Sequence, residues 1–242
     1  MTIKFNRQLI LGAALLCTAP AFGAPIAIVN GDFELDAADN VAPPTGWIDE
    51  SPDGFWTGVA DEVGNPTAAQ AAAAPGSGLG DYFLTTARQS AGVGSQSEND
   101  LLTQTVDLSA FGGLIDAGDQ VLEVDFVWSS NDGRDTGAFD LSFYSSTDGT
   151  GAPIGAGYSV ALDDDNGFAF TGWFEETVGG VVPVSARSVT LSISTARSGG
   201  SETNIWIDNI SGSIGQPVPE PGSALLLVLG LTAVGFCKSS RS

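Results

Sequence analysis

The chain has 242 residues, a formal net charge of −21 at pH 7 and no histidine. All 29 acidic residues and only four arginines lie between residues 24 and 221, which gives this segment a net charge of −25 and excludes nucleic-acid binding, because neutralising phosphates requires a basic surface. The absence of histidine excludes a Ser-His-Asp triad, a Cys-His pair and most zinc sites. The two cysteines, at positions 17 and 237, lie outside that segment, so it contains no cysteine nucleophile either.

Residues 1–23 have the pattern of a secretory signal peptide. Two basic residues precede an apolar run at residues 9–16, and small residues follow it. We expect signal peptidase to cleave between Gly23 and Ala24, with cleavage after Ala21 as the alternative. Passage through the Sec machinery would then place the rest of the chain outside the cytoplasm.

Residues 24–215 are predicted to form one all-β domain. Apolar and polar side chains alternate at residues 122–128, 139–144 and 189–194. Such alternation predicts strands with one buried and one solvated face, the pattern of a β-sandwich. A domain of this length can bury a core without a disulfide, and its acidic surface would repel polyanions and attract divalent cations.

Turn-forming residues separate the predicted strands. The clusters at residues 131–135 and 163–167 both contain Asn, Asp and Gly, and Asn166-Gly167 favours a hairpin tip. The second cluster lacks the spacing of a helix-loop-helix calcium site, so we interpret both as solvated turns. Residues 67–74 are the only helix-like stretch, and because Pro75 ends it we expect a loop or a short helical turn there.

Residues 216–242 combine a proline-rich motif, an apolar segment at residues 222–237 and a basic tail at residues 238–242. The motif comprises Val218, Pro219, Glu220 and Pro221. Its prolines predict an extended and accessible chain. As a helix the apolar segment would extend about 24 Å, less than the ~30 Å hydrocarbon core. We expect a short transmembrane helix with a cytoplasmic C-terminus. The alternatives are a plain tail anchor and a buried apolar helix.

This C-terminal segment resembles the PEP-CTERM sorting signal of Gram-negative bacteria. The resemblance implies export, recognition of the Pro-Glu-Pro motif by a membrane-embedded exosortase, and removal of the helix after transient anchoring in the inner membrane. Proteins with this signal typically accompany exopolysaccharide production, and many are surface or matrix proteins. The usual terminal arginine cluster is reduced here to Lys238 and Arg241.

Several motifs in the predicted β-domain resemble galactose-binding-like jelly rolls, the architecture of many carbohydrate-binding modules. The first is Ile-Val-Asn-Gly-Asp-Phe-Glu at residues 28–34, and the closing one is Ile-Trp-Ile-Asp-Asn-Ile at residues 205–210. The others lie at residues 46–47, 80–84 and 102–108. The resemblance implies a jelly-roll β-sandwich over most of the exported domain.

The same resemblance implies a structural calcium ion, because in these folds the first and last strands lie close together and share one. The corresponding residues are Asn30 or Asp32, Glu34 and Asp208, with backbone carbonyl oxygens nearby. Calcium is bound by six to eight oxygen atoms, which this set could supply in part. The alternative is that residues 30–32 form a simple turn in which Asp32 caps backbone N–H groups.

Sugar binding by an aromatic side chain requires an exposed ring beside directional polar groups. The candidate rings are Trp56, Tyr82, Tyr144, Tyr158 and Trp173. Tyr144 is the best of them because it shares the polar face of its predicted strand with Asp140 and Ser142. The tryptophans expected in the core are Trp47, Trp128 and Trp206.

Three functions remain open. The favoured one is a non-catalytic surface or matrix protein, associated with exopolysaccharide or biofilm and stiffened by calcium. The alternative is a carbohydrate-binding module that recognises an envelope or matrix polysaccharide. A glycan-active enzyme is disfavoured, because nothing in the sequence distinguishes a pair of carboxylates for acid-base catalysis.

Overall fold

A computed structural model describes residues 23–36, 41–51, 55–61, 66–76, 78–86, 99–130, 135–163, 170, 172–197 and 203–217. Residues 1–22 of the predicted signal peptide, the sorting motif Val218–Pro221, the apolar segment 222–237, the basic tail 238–242 and the hairpin tip Asn166-Gly167 lie outside this part of the chain. Within it, no helix is both long and apolar enough to cross a membrane.

In the described residues, four strands of two or three residues come before seven longer ones, and two short α-helices lie between strands. The strands are β1 (Ala24–Pro25), β2 (Ile48–Asp49), β3 (Trp56–Gly58), β4 (Phe83–Thr85), β5 (Asn99–Asp107), β6 (Val121–Ser130), β7 (Thr136–Tyr144), β8 (Tyr158–Asp163), β9 (Phe174–Val181), β10 (Ser188–Ala196) and β11 (Ile205–Gly215). The helices are α1 (Ala68–Ala71) and α2 (Gly112–Ala117).

The strands form two sheets. One has six strands, with the order β3-β4-β11-β6-β9 and β1 also paired to β11, and the other has the order β2-β5-β10-β7-β8. Every pairing between described strands is antiparallel. The prediction of an all-β sandwich is therefore confirmed.

The inner faces of the two sheets form the main hydrophobic core. The buried apolar members of the three predicted runs are Leu122, Val124, Phe126, Trp128, Phe139, Leu141, Phe143, Val189, Leu191 and Ile193. Phe126 and Phe139, from opposite sheets, stack with their ring centroids 4.5 Å apart. Each fully buried side chain of this size contributes about 1.5–3 kcal/mol, so this face-to-face packing is the main source of stability.

A second hydrophobic cluster covers the outer face of the six-stranded sheet. It consists of Ala71, Ala74, Leu79, Phe83, Val127 and Trp206, with Ala60, Phe170 and Trp173 packed against it. The start of α1 is stabilised by a capping box, in which Thr67 Oγ1 accepts from Gln70 N and Gln70 Oε1 accepts from Thr67 N. The short helical turn expected at residues 67–74 is confirmed, and it covers a sheet face that would otherwise be solvated.

The prediction that residues 67–74 are the only helix-like stretch is wrong. Residues Ser109–Phe111 form a 3-10 turn that continues into α2. Gly112 and Gly113 disfavour a helix, but tertiary packing overrides this propensity, because Ile115 is fully buried in the core. The ion pair between Arg187 and Asp116, with 2.6 Å between Nη2 and Oδ2, holds α2 against the chain before β10.

Candidate functional site

The segment before residue 36 runs along the last strand, β11. Ile26 N donates to Gly212 O at 3.0 Å, and Ile210 N donates to Gly31 O at 2.8 Å. A Cβ atom at Gly31 would collide with the Ile210 carbonyl oxygen, so only glycine permits this approach. The proximity of the first and last segments of the sandwich, expected from the jelly-roll resemblance, is present.

Asn30 organises the turn at the start of this site. Its backbone has a φ of 53°, in the left-handed region that asparagine tolerates. The side-chain Nδ2 donates to Asp36 Oδ2 at 2.7 Å, and Oδ1 accepts from Leu35 N at 3.0 Å. Both ends of the amide are therefore engaged in the turn, and Asn30 is better placed to shape the site than to bind an ion.

Asp36 is a buried acid that the sequence analysis did not identify. Its two carboxylate oxygens accept from Thr45 N and Thr45 Oγ1 as well as from Asn30. It thereby ties the turn at Asn30 to the segment that precedes Trp47. Asp36 is six residues after Asn30, and nothing in the local sequence distinguishes it from the two acids that precede it.

Asp32 and Glu34 are exposed carboxylates on the same turn. Asp32 Oδ1 accepts from Glu34 N at 3.4 Å, the capping interaction expected if the segment were a simple turn. Glu34 Oε1 accepts from Asp81 N at 2.7 Å and from Tyr82 N at 3.0 Å. Glu34 therefore joins the turn to the chain that leads into β4.

Asp208 on β11 is the third acid of this site, and it is only 1% exposed. Its Oδ1 accepts from Asn209 N at 2.7 Å. The pKa of Asp208 is raised from 3.8 to about 9. Burial is the largest cause, the hydrogen bond from Asn209 N acts in the opposite direction, and the negative charges of Glu34 and Asp32 add to the increase. The fold thus brings Asp32, Glu34 and Asp208 within electrostatic range of one another.

A bulge in β11 determines where Asp208 lies. The pairing of β11 with β6 shifts register between Asp208 and Ser211, and Asn209 has a φ of 56°. Asn209 Nδ2 donates to Gly78 O at 3.0 Å, which fixes the bulge to the segment before β4. Asp208 was predicted from the sequence but this bulge was not, although Asn within a predicted strand tolerates the left-handed conformation that Asn209 adopts here.

The chemistry of these side chains suits a hard divalent cation, although side chains alone do not form a complete site. Anionic oxygens are the ligands that calcium prefers, and a buried acid beside two others is stabilised either by a proton or by a cation. No group of three or more acidic, histidine or cysteine side chains in the described ranges is arranged to hold a metal ion. Calcium here would need carbonyl oxygens or water besides Asp32, Glu34 and Asp208.

Solvent reaches this region through a depression of about 520 Å³. It is lined by Ile28, Asn30, Gly31, Asp32, Leu35, Asn209, Ile210 and Ser211. Asp32 lines this depression, so an ion or its hydration water has an open route to at least one predicted ligand.

The candidate aromatic residues do not form one platform. Tyr144 lies on β7 of the five-stranded sheet, whereas Trp56 lies on β3 of the six-stranded sheet. The side chain of Trp56 is not among the parts of the chain that the structure describes. Trp173 is half-buried in the second cluster, where Nε1 donates to Gln70 O at 2.8 Å and its ring centroid is 6.2 Å from that of Trp206. Trp47, Trp128 and Trp206 are buried, as predicted.

Tyr144 belongs to a polar surface on the outside of the five-stranded sheet, which we call the hydroxyl face. Its hydroxyl side chains are Thr103, Thr105, Thr136, Ser142, Ser159, Thr190, Ser192 and Ser194. Asp140 lies at its centre, paired with Ser192 on one side and Ser159 on the other. Tyr144 is at one end of this face and is half-buried.

No protein-family model and no curated protein matches this sequence. Among solved structures, TmCBM61 in complex with beta-1,4-galactotriose aligns with a TM-score of 0.48 at 16% identity, over 80% of this chain and 100% of that one. A cyclase from Fischerella sp. TAU has a TM-score of 0.48 at 13% identity, over 81% and 100%. The K2 cleaved adhesin domain of Lys-gingipain has a TM-score of 0.44 at 13% identity, over 80% and 99%. These three proteins differ in function, and the similarities assign no ligand to this chain.

Proposed function

We propose that this chain is an exported, non-catalytic β-sandwich of the cell surface or extracellular matrix, stabilised by calcium. The segment before residue 24 and the PEP-CTERM-like segment after residue 215 support export and sorting by an exosortase. The absence of histidine and of cysteine from residues 24–215 supports a binding or structural role rather than nucleophilic catalysis. Hydrolysis of extracted matrix polysaccharide by the purified protein would contradict the non-catalytic assignment.

The observation that carries this proposal is that the buried Asp208 lies within electrostatic range of Asp32 and Glu34, where the first segment of the sandwich runs along the last strand. A cation at this junction would connect elements that are distant in sequence, as a disulfide does in other exported domains. Extracellular calcium modules bind at roughly 10⁻⁴–10⁻³ M, a range that suits a surface protein.

Thermal unfolding with and without calcium tests the proposed ion. We expect a chelator to lower the Tm of the purified protein and millimolar calcium to restore it. Asp32→Asn should weaken this response, because the amide keeps the hydrogen bond from Glu34 N but loses the charge. Asp148→Asn is the matched control, because Asp148 makes the same kind of turn bond, to Thr150 N, away from the site. A Tm that does not respond to calcium would refute the site.

Intact mass of the protein recovered from culture medium or the cell surface tests export and sorting. We expect a mature chain that begins at Ala24 and ends before residue 222. A chain of full mass in the cytosol would contradict both processing steps and the proposed localisation.

A second candidate function is carbohydrate binding, which the position of Tyr144 beside the hydroxyl face favours. Electrophoresis through gels that contain the producer's exopolysaccharide would show binding as a loss of mobility. Tyr144→Ala should reduce the retardation, whereas Trp173→Ala should reduce it only if Trp173 is a ligand platform and not a packing residue. Equal mobility with and without polysaccharide would remove this candidate.

A further inference from the structure

The hydroxyl face is a regular array of hydrogen-bonding groups. Thr103, Ser192, Asp140 and Ser159 lie in one row across four strands, because they are successive register partners. Thr105, Thr190 and Ser142 form the next row, and the Oγ1 atoms of Thr105 and Thr190 are 2.9 Å apart. Ile48 extends the first row onto β2, so the row crosses five strands and is about 19 Å long at ~4.8 Å per strand.

The charge on this face is small and negative. Asp140 is the one acidic side chain within the two rows, and Asp107 and Asp163 lie at the margins. None of the described residues that form the face is cationic. A carboxylate accepts hydrogen bonds from the hydroxyl groups of a sugar but repels the carboxylates or sulfates of an anionic polymer.

The loop at residues 145–151 bounds one end of the face. A Cβ atom at Gly149 would lie 2.9 Å from Thr105 Oγ1 and 3.1 Å from Thr190 Oγ1, so the loop passes directly over these two side chains. Ser188 Oγ donates to Ser146 O at 2.7 Å and holds the loop in place. At the other end lies a depression of about 360 Å³, lined partly by Thr136, Ser194 and Ala196. The open part of the face therefore runs across the strands, along the row that contains Asp140.

We propose that the hydroxyl face binds a neutral polysaccharide chain that lies across the strands, with Asp140 as the central acceptor. This inference rests on the second candidate function above and assigns it a location and a ligand class. Each exposed hydroxyl exchanges a bond to water for a bond to sugar, so the net gain per group is small and charge-assisted bonds to Asp140 dominate. Binding should therefore depend on the repeated units of a polymer.

Affinity electrophoresis of the purified protein, in gels that contain galactan, xylan or β-glucan, tests this inference, with polygalacturonate as the anionic comparison. We expect retardation by at least one neutral polymer and none by polygalacturonate. Asp140→Asn should weaken the apparent affinity about ten-fold, because charge-assisted hydrogen bonds are lost. Ser192→Glu should abolish retardation, since it adds charge and volume beside Asp140.

Leu114→Glu on α2 is the matched control, because Leu114 is 57% exposed and the substitution changes electrophoretic charge by the same amount as Ser192→Glu. Retardation that survives both substitutions on the face would overturn the location while leaving carbohydrate binding in place. Stronger retardation by polygalacturonate than by neutral polymers would overturn the ligand class. No retardation by any polymer would overturn this inference together with the second candidate function.

Discussion

Asp208→Asn is expected to remove most of the pH dependence of stability between pH 5.5 and 7.5. Asp208 is almost completely buried beside Glu34 and Asp32, and its pKa is raised to about 9. Asparagine has nearly the same shape as the protonated acid but does not ionise. The substitution therefore tests the electrostatics of the site with little change in packing.

The sign and size of the effect follow from proton linkage. The unfolded chain loses the Asp208 proton near pH 3.8, whereas the folded protein retains it up to about pH 9. The free energy of unfolding therefore falls as pH rises through this window, by up to ~1.4 kcal/mol per pH unit. Between pH 5.5 and 7.5 the loss is about 3 kcal/mol, which corresponds to a decrease in Tm of roughly 6–12 °C for a domain of this size.

Differential scanning calorimetry in metal-free buffer at pH 5.5, 6.5 and 7.5 measures this dependence. The chain has no histidine, the side chain that normally titrates in this range, so the contribution of Asp208 is not masked. Asp208→Asn should flatten the curve and raise the Tm at pH 7.5. In the unsubstituted protein calcium should raise the Tm more at pH 7.5 than at pH 5.5, because ligation requires the ionised carboxylate.

Glu123→Gln is the control for loss of one negative charge, because Glu123 is exposed on β6 outside the site. It should leave the pH dependence unchanged. If the unsubstituted protein and Asp208→Asn show the same change in Tm with pH, Asp208 is ionised throughout this range in the folded protein, and the reasoning about its burial is wrong.

Three further substitutions test the packing around the sites. Gly31→Ala should destabilise the sandwich by a few kcal/mol in chemical denaturation, because the new Cβ collides with Ile210 O; a stability change below ~0.5 kcal/mol would contradict this. Trp173→Ala should lower the midpoint of denaturation, because it removes packing against the second cluster, and should not change electrophoretic mobility in gels that contain neutral polysaccharide. An unchanged midpoint together with reduced retardation would instead identify Trp173 as a ligand platform. Phe139→Ala should cost about 3–5 kcal/mol, whereas Leu114→Ala, at an exposed position, should change stability by less than ~0.5 kcal/mol.

The alternation of apolar and polar residues was sufficient to predict the sandwich class and the inner faces of its long strands. Side chains such as Leu141 and Leu191 alternate with polar neighbours, and because a strand directs successive residues to opposite faces, this local period is sufficient to identify the buried face. It also placed Asp140 and Tyr144 on the same outward face. The processing signals predicted at both ends depend on local composition and order, and they remain predictions from the sequence.

Burial of residues on the outer sheet faces depends on contacts between distant segments, which local sequence does not specify. Val127 and Trp206 lie on the outer side of their sheet, but the segment around α1 covers them, and no local pattern predicts that contact. Asp208 was predicted as a candidate ligand, yet its burial depends on the bulge at Asn209 and on the turn that carries Asp32 and Glu34. These groups are far apart in the chain, so the environment of Asp208, and with it the pKa of its carboxyl group, is a property of the assembled sandwich.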